Sequence, residues 1–125
     1  MKSIQIALLA AALTALSWSA ASAEGAIAVG QAGTAPRQEV AVGLSTDFPT
    51  AKAAAADALA RCKASGDVKA STLRKCKVVQ TFKNQCAAVA MDPKAGSNGF
   101  GFGIAKSRSG ARNAAIVQCG QTADR

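Results

Sequence analysis

Four cysteines constrain this chain more than any other feature: Cys62, Cys76, Cys86 and Cys119. If a short chain is exported, an even number of cysteines predicts a disulfide framework, because small extracytoplasmic domains supplement a modest core with disulfides. Zinc is the rival use of four cysteines. Structural zinc sites usually place about two to four residues between paired ligands. The gaps here are 13, 9 and 32 residues, and the chain contains no His. The sequence therefore predicts two disulfides, no metal and no other cofactor.

The first 23 residues have the pattern of an export signal. Lys2 is followed by an apolar run from Ile4 to Leu16, and small residues at Ala21 and Ala23 precede Glu24. This pattern predicts a signal peptide, residues 1–23, cleaved before Glu24. A retained membrane anchor is the alternative, but a spanning helix needs about 20 apolar residues, more than this stretch provides. We therefore expect a periplasmic or secreted protein with no membrane span after cleavage.

Residues 24–125 are expected to form a single small disulfide-bonded domain, because about 100 residues suffice for one modest core. Lys2 leaves with the signal, so 14 of the 15 Lys and Arg remain against all 7 Asp and Glu. The resulting formal charge of +7 favours anionic partners. A solubility role alone would explain the same charge.

The first half of the domain reads as two strands and a helix. Strand-length apolar runs cover 25–30 and 39–44, and an Ala-rich stretch from Thr50 to Cys62 predicts a helix capped by Thr50. Small residues at Ala54, Ala58 and Cys62 recur every four positions, so this helix should pack closely against a sheet. A polar, basic loop is expected over 63–75.

The second half is also expected to place a strand directly before its helix. Residues 77–82 and 86–91 read as a hairpin, 92–99 as a loop, and 100–105 as a strand that places Phe100 and Phe102 on one face. A second helix is expected over 109–119, with a serine cap and Gly120 just beyond its end. Its small residues, Ala111, Ala115 and Cys119, lie 57 positions after those of the first helix. The prediction is an α+β fold, a mainly antiparallel sheet with two Ala-rich helices packed on it, built as two diverged halves. Chance similarity of two Ala-rich helices is the alternative.

Four cysteines allow three pairings, and the predicted hairpin disfavours one of them. Cys76 and Cys86 would lie about 20 Å apart along the ladder, beyond the span of a disulfide. We prefer Cys62 with Cys76 and Cys86 with Cys119, since each bridge then ties a helix end to the start of a strand. The alternative is Cys62 with Cys86 and Cys76 with Cys119.

The residue inventory disfavours catalysis. Without its signal the chain has no His, Tyr or Trp, which excludes Ser–His and Cys–His nucleophilic machinery. The remaining option is a carboxylate pair of the kind that glycoside hydrolases use. Its candidate carboxylates are scattered through the sequence: Glu39, Asp47, Asp57, Asp67 and Asp92. We therefore expect a binding protein rather than an enzyme.

A basic cluster is the best candidate for an interaction surface. Its members are Lys63, Lys69, Arg74, Lys75, Lys77 and Lys83. The expected partner is an anionic polymer, an envelope surface or another protein, and the alternative is a merely solvated loop. Nucleic acid is not favoured, because only Phe82 could stack on a base near the cluster. A small inhibitor or immunity-type protein that blocks an envelope or extracellular enzyme is the alternative function.

Several segments of the domain together resemble a known family. They are Gly25 to Ala28, Ala60 to Cys62, Cys76 to Phe82, Asn84 to Ala90 and the Ala-rich helix that ends at Cys119. These segments resemble the bacterial secreted family called domain of unknown function 4189, over nearly all of residues 24–125. The resemblance implies an exported, disulfide-bonded domain and no particular activity.

Overall fold

The structure is a computed structural model that describes residues 22–33, 38–94 and 96–123. The predicted signal peptide lies outside the described residues, apart from Ser22 and Ala23. In chain order the elements are β1 (Glu24–Ala32), β2 (Glu39–Phe48), α1 (Ala51–Lys63), α2 (Ala70–Leu73), β3 (Lys77–Lys83), β4 (Cys86–Met91), β5 (Phe100–Ala105) and α3 (Arg108–Ala123). No helix in these ranges is long and apolar enough to cross a membrane.

Three strands form the first sheet, in the order β2-β1-β3, with antiparallel pairing on both sides of β1. The central position of β1 follows from its composition, since small and aliphatic residues let both of its faces be covered. Ala26 and Ala28 face α1, whereas Ile27 and Val29 belong to a separate cluster on the opposite face. All four of these residues are buried.

Helix α1 lies close against the first sheet, as its small residues predict. Thr50 caps the helix by accepting a hydrogen bond from the N–H of Ala53 (3.1 Å), and Ala54, Ala58 and Cys62 form the buried stripe. Gly43 of β2 makes the close approach possible, because a Cβ atom there would meet the carbonyl of Ala58. This small-residue interface confirms the predicted packing of the first helix.

The second sheet is the antiparallel hairpin of β4 and β5, covered by α3. Phe100 and Phe102 face one way, as predicted, while Gly101 and Gly103 face α3 at the backbone of Ala115 and Ala111. The alternation of glycine with phenylalanine therefore serves packing on both faces of one strand. It presents bulk to the core and lets a helix lie on the opposite face.

The two sheets pack face to face and give a four-layer arrangement of helix, sheet, sheet and helix. Ile27, Val29 and Phe82 from the first sheet form one buried cluster with Phe100 from the second. The predicted hairpin of residues 77–82 and 86–91 is wrong, because β3 pairs with β1 and β4 pairs with β5. Because β1 is buried on both faces, the backbone N–H and C=O groups along both of its edges need hydrogen-bond partners, and β3 supplies them on the second edge.

The two halves share more than the order strand, strand, helix. Ser107 caps α3 by accepting from the N–H of Gly110 (3.0 Å), as Thr50 caps α1. After each helix stripe, a hydroxyl donates to a carbonyl of the neighbouring strand: Ser65 to Val42 (3.4 Å) and Thr122 to Phe100 (2.7 Å). The equivalent pairs, each 57 residues apart, are Thr50 and Ser107, Ala54 and Ala111, Ala58 and Ala115, Cys62 and Cys119, and Ser65 and Thr122. These contacts give the predicted two-half organisation a structural basis.

Helix α3 runs four residues past its predicted end, to Ala123, so the expected stop at Gly120 is wrong. Side-chain hydrogen bonds join the last turns of α3 to β5. Gln118 Oε1 accepts from the N–H of Phe102 (2.7 Å), and Thr122 Oγ1 both accepts from the N–H of Phe100 and donates to its carbonyl. Gly120 has no neighbour where its Cβ would be, so it faces open space. These side-chain bonds outweigh the weak helix propensity of glycine.

Candidate anion-binding surface

The surface is built around one disulfide that joins α1 to β3. Cys62, in the last turn of α1, is bonded to Cys76, immediately before β3, with Cα atoms 6.0 Å apart. This is the first of the two preferred bridges. It closes the predicted basic loop, in which the short helix α2 is an element that the composition did not reveal.

The second preferred bridge, Cys86 to Cys119, is wrong, since both residues carry free thiols. Because α3 reverses direction after β5, its end lies over the start of β5, and Cys119 lies beside Gly101. Cys86 pairs with Ala105, at the other end of that strand. Four residues of strand separate the two positions, about 13 Å, which no disulfide spans.

Five of the six predicted basic residues lie in or directly beside the loop that the Cys62–Cys76 bridge closes. All five are exposed: Lys63, Lys69, Arg74, Lys75 and Lys77. We call this set the basic surface. Lys83 is not part of it, because it lies at the far end of β3, where its Nζ is 3.9 Å from a carboxylate oxygen of Glu24. Among the described residues, no carboxylate lies within ion-pair distance of any member of the basic surface.

Glu39 fixes the loop that carries the basic surface. Its Oε2 accepts from the hydroxyl of buried Thr72 (2.9 Å) and from the backbone N–H of Lys69 (3.3 Å). The segment is therefore fixed at both ends by the disulfide and in its interior by this carboxylate. Glu39 is bound to neutral donors rather than to a cation, so it leaves the lysine and arginine side chains unpaired.

Two shallow clefts lie on this surface. One, of about 420 Å³, is lined by Val29, Gln31, Lys75, Lys77 and Val79. The other, of about 400 Å³, is lined by Lys63, Ala70, Leu73 and Arg74. Each cleft combines two cations with apolar walls. A ligand with both anionic and carbon-rich parts would find matching groups in each of them.

The carboxylates considered for catalysis bond neighbouring residues or lie at positions of unusual backbone conformation. Asp57 bonds Arg61 one helical turn away (2.6 Å). Asp47 and Asp67 occupy positive-φ positions, Asp47 within β2 and Asp67 in a turn. Asp92 accepts from the hydroxyl of Ser97 (2.6 Å) and from the N–H of Lys94 (3.0 Å), and these bonds hold the pKa of Asp92 below its ordinary value. No cluster of three or more metal-ligating side chains occurs among the described residues.

Comparison with known families adds one result. The family model described as Domain of unknown function (DUF4189) matches residues 24–125. The chain belongs to this family. The DUF4189 match covers both halves of the fold and both clefts, so the resemblance inferred from the cysteine-containing segments is confirmed. No curated protein and no solved structure matches the chain.

Some residues of this DUF4189 surface could not be selected from the sequence. Gln31, Val29 and Val79 join Lys75 and Lys77 in the first cleft only because β1 and β3 are neighbours in the sheet. Glu39 stood among the catalytic candidates, and its role in fixing α2 depends on a contact with Thr72 across 33 positions of sequence. The cation cluster itself could be identified, because four of its five members lie within nine residues.

Proposed function

We propose that the protein is an exported, non-enzymatic binding protein whose basic surface binds an anionic polymer outside the cytoplasm. Export is supported by the signal-like pattern of residues 1–23 and by the Cys62–Cys76 disulfide, a bond typical of oxidising compartments. The family match begins at Glu24, the residue expected to follow cleavage.

The observation that carries the proposal is the unneutralised charge of a rigid segment. Five exposed cations lie in or beside the loop that the disulfide closes, and no described carboxylate is close enough to pair with them. Surface cations that serve only solubility are usually spread among acids, whereas clustered cations attract polyanions and speed their association. Fixing by Glu39 and by the disulfide lowers the entropy that the loop would lose on binding.

Catalysis is disfavoured by the same geometry. A carboxylate hydrolase needs two carboxyl groups across a cleft, about 5 to 10 Å apart. The two clefts are lined by cations, glutamine and apolar residues, with no carboxylate among the lining residues. Asp57 and Asp92 bond neighbours on their own segments. The clefts therefore suit binding better than acid–base chemistry.

The test is binding of fluorescently labelled dextran sulfate by the mature protein over a range of salt concentrations. Neutralising two members of the basic surface, with Arg74→Gln and Lys75→Gln together, should weaken binding about three- to tenfold at low salt. The slope of log affinity against log salt should fall by about two, because each lost cation releases one fewer counterion.

The matched control is Lys106→Gln with Arg108→Gln, which removes the same charge at two exposed positions at the start of α3. We expect this variant to keep most of the affinity. Equal losses in both variants would show a response to net charge alone and contradict a localised site. A partner that stays bound at high salt would favour the inhibitor-type function over a charge-driven one.

A further inference from the structure

The two halves differ at one strand edge. In the first half β1 lies between β2 and β3, whereas in the second half its counterpart β4 pairs with β5 alone among the described residues. The other edge of that hairpin is closed, because Thr122 and Gln118 of α3 bond the outward N–H groups of Phe100 and Phe102. The outer edge of β4 is thus the place where the second half lacks a neighbour that the first half has.

The ladder shows which groups this edge presents. The N–H of Asp92 donates to the carbonyl of Gly99 (2.9 Å), so residues in register with Asp92 along β4 bond toward β5. Alternate residues point the other way. The backbone N–H and carbonyl groups of Ala87, Val89 and Met91 are therefore directed away from β5. Among the described residues no strand pairs with this row, and an edge of this kind is a template for strand addition.

One of the two free thiols lies at a position where the first half places its disulfide. Cys119 is the counterpart of Cys62 on its helix. The first-half partner, Cys76, immediately precedes the added strand β3, whose Lys77 pairs with Val29. Ala28 pairs with Gly43, which lies under α1, and Ala90 pairs with Gly101, which lies under α3 in the same way. Met91, the residue after Ala90, is therefore the counterpart of Val29. If another strand paired with β4 as β3 pairs with β1, its residue opposite Met91 would correspond to Lys77. The residue before it would then be a cysteine, as Cys76 is.

We propose that a second copy of the chain fills this position. The β4 strands of two copies pair antiparallel about a two-fold axis at Val89, with Ala87 opposite the partner's Met91. The partner's Cys86 then immediately precedes the residue opposite Met91, as Cys76 precedes Lys77, and forms a disulfide with Cys119. Symmetry repeats the bridge, so one register uses both free thiols of both copies. It also pairs only outward-directed residues, as an antiparallel ladder requires.

This arrangement explains features that the single copy leaves unexplained. Cys86 and Cys119 are too far apart to join within one chain, yet an even cysteine count in an oxidising compartment favours full pairing. Met91, a large apolar side chain, is 52% exposed on the proposed interface strand. The interface is distinct from the basic surface, so it rests on the proposed function only for export to an oxidising compartment and not for anion binding.

The covalent step is an ordinary oxidation. For each bridge the thiols of Cys119 and the partner's Cys86 lose two protons and two electrons as one S–S bond forms. The electrons reduce a disulfide oxidant, such as glutathione disulfide, whose S–S bond breaks to give two thiols. Each dimer therefore consumes two molecules of glutathione disulfide.

The experiment oxidises the mature protein in a glutathione buffer and maps its cross-linked peptides. Equal amounts of unlabelled and ¹⁵N-labelled reduced protein are mixed beforehand. We expect a dimer in which Cys86 peptides are linked to Cys119 peptides, with about half of these pairs carrying one labelled member, as random two-fold association requires. A monomer with free thiols, bridges confined to one isotope, or Cys86–Cys86 and Cys119–Cys119 bridges would each overturn the proposal.

A variant pair tests the strand contact separately. Val89→Pro removes an N–H that points away from β5 and leaves the β4–β5 hydrogen bonds in place, as proline at a sheet edge can. We expect a several-fold lower yield of dimer at a fixed oxidation time, whereas Val89→Ala, which keeps the N–H, should dimerise normally. Circular dichroism checks that both variants fold. Unchanged dimer yield in folded Val89→Pro would contradict pairing through β4, and the isotope experiment decides the bridge whether or not the variant folds.

Discussion

At the scale of single residues, the fold depends on glycines that lie where any side chain would collide with a helix. Gly43 and Gly101 occupy equivalent places, since each lies under the helix at Ala58 or Ala115. These glycines are 58 residues apart, one more than the equivalent helix positions, because β2 has a one-residue bulge near Asp47, whose φ is 62°. Composition alone shows many glycines, and only the packing distinguishes those that permit a helix to approach.

Replacing Gly43 by alanine should destabilise the protein by about 1 to 3 kcal/mol, because the new Cβ meets the backbone of α1 and the helix must shift. Urea unfolding of the mature protein measures this loss. Gly120→Ala is the matched control. It adds the same methyl group to α3 where no atom lies within 4 Å, and it should stabilise the protein by about 0.5 to 1 kcal/mol. A neutral Gly43→Ala would show that α1 does not need this close approach.

At the scale of elements, local signals predicted the helices better than the strand pairing. The Thr50 cap, the start of α1 and the small stripe are properties of neighbouring residues, and they were predicted correctly. The strand partners of β3 and β4 were predicted wrongly. Adjacency in sequence favours a hairpin between these two strands, whereas β3 pairs with the buried strand β1 and β4 pairs with β5. The cation cluster could be identified from the sequence because most of its members are close together, while the contribution of Gln31 to the first cleft depends on strand pairing.

The two helix caps should behave alike if the halves are structurally equivalent. Thr50→Ala and Ser107→Ala each remove a side-chain acceptor from a helix N–H, and each should cost about 1 kcal/mol in the free energy of unfolding. Thr50→Ser and Ser107→Thr keep the hydroxyl and serve as controls with little expected change. Chemical denaturation of the four variants makes the comparison. A cost at one cap and none at the other would count against equivalent helix starts.

At the scale of the whole molecule, the halves are joined through the face between the sheets. Its buried cluster takes Ile27, Val29 and Phe82 from the first sheet and Phe100 from the second, and the one intramolecular disulfide lies entirely within the first half. Neither sheet covers its inner face without the other. A three-stranded or two-stranded sheet with one helix would leave this cluster in water, so the halves should depend on each other for stability.

This dependence predicts a single cooperative unfolding transition. Ile27 is fully buried between the sheets, and Ile27→Val should cost about 1 kcal/mol. Amide hydrogen exchange should then accelerate about fivefold in α3 and β5 as well as in α1, because global unfolding exposes all of them at once. Ile116→Val is the control, since Ile116 is 57% exposed on α3 and its loss of one methylene should change no exchange rate. Acceleration confined to α1 and the first sheet would show that the halves unfold independently and that the cluster between the sheets does not couple them.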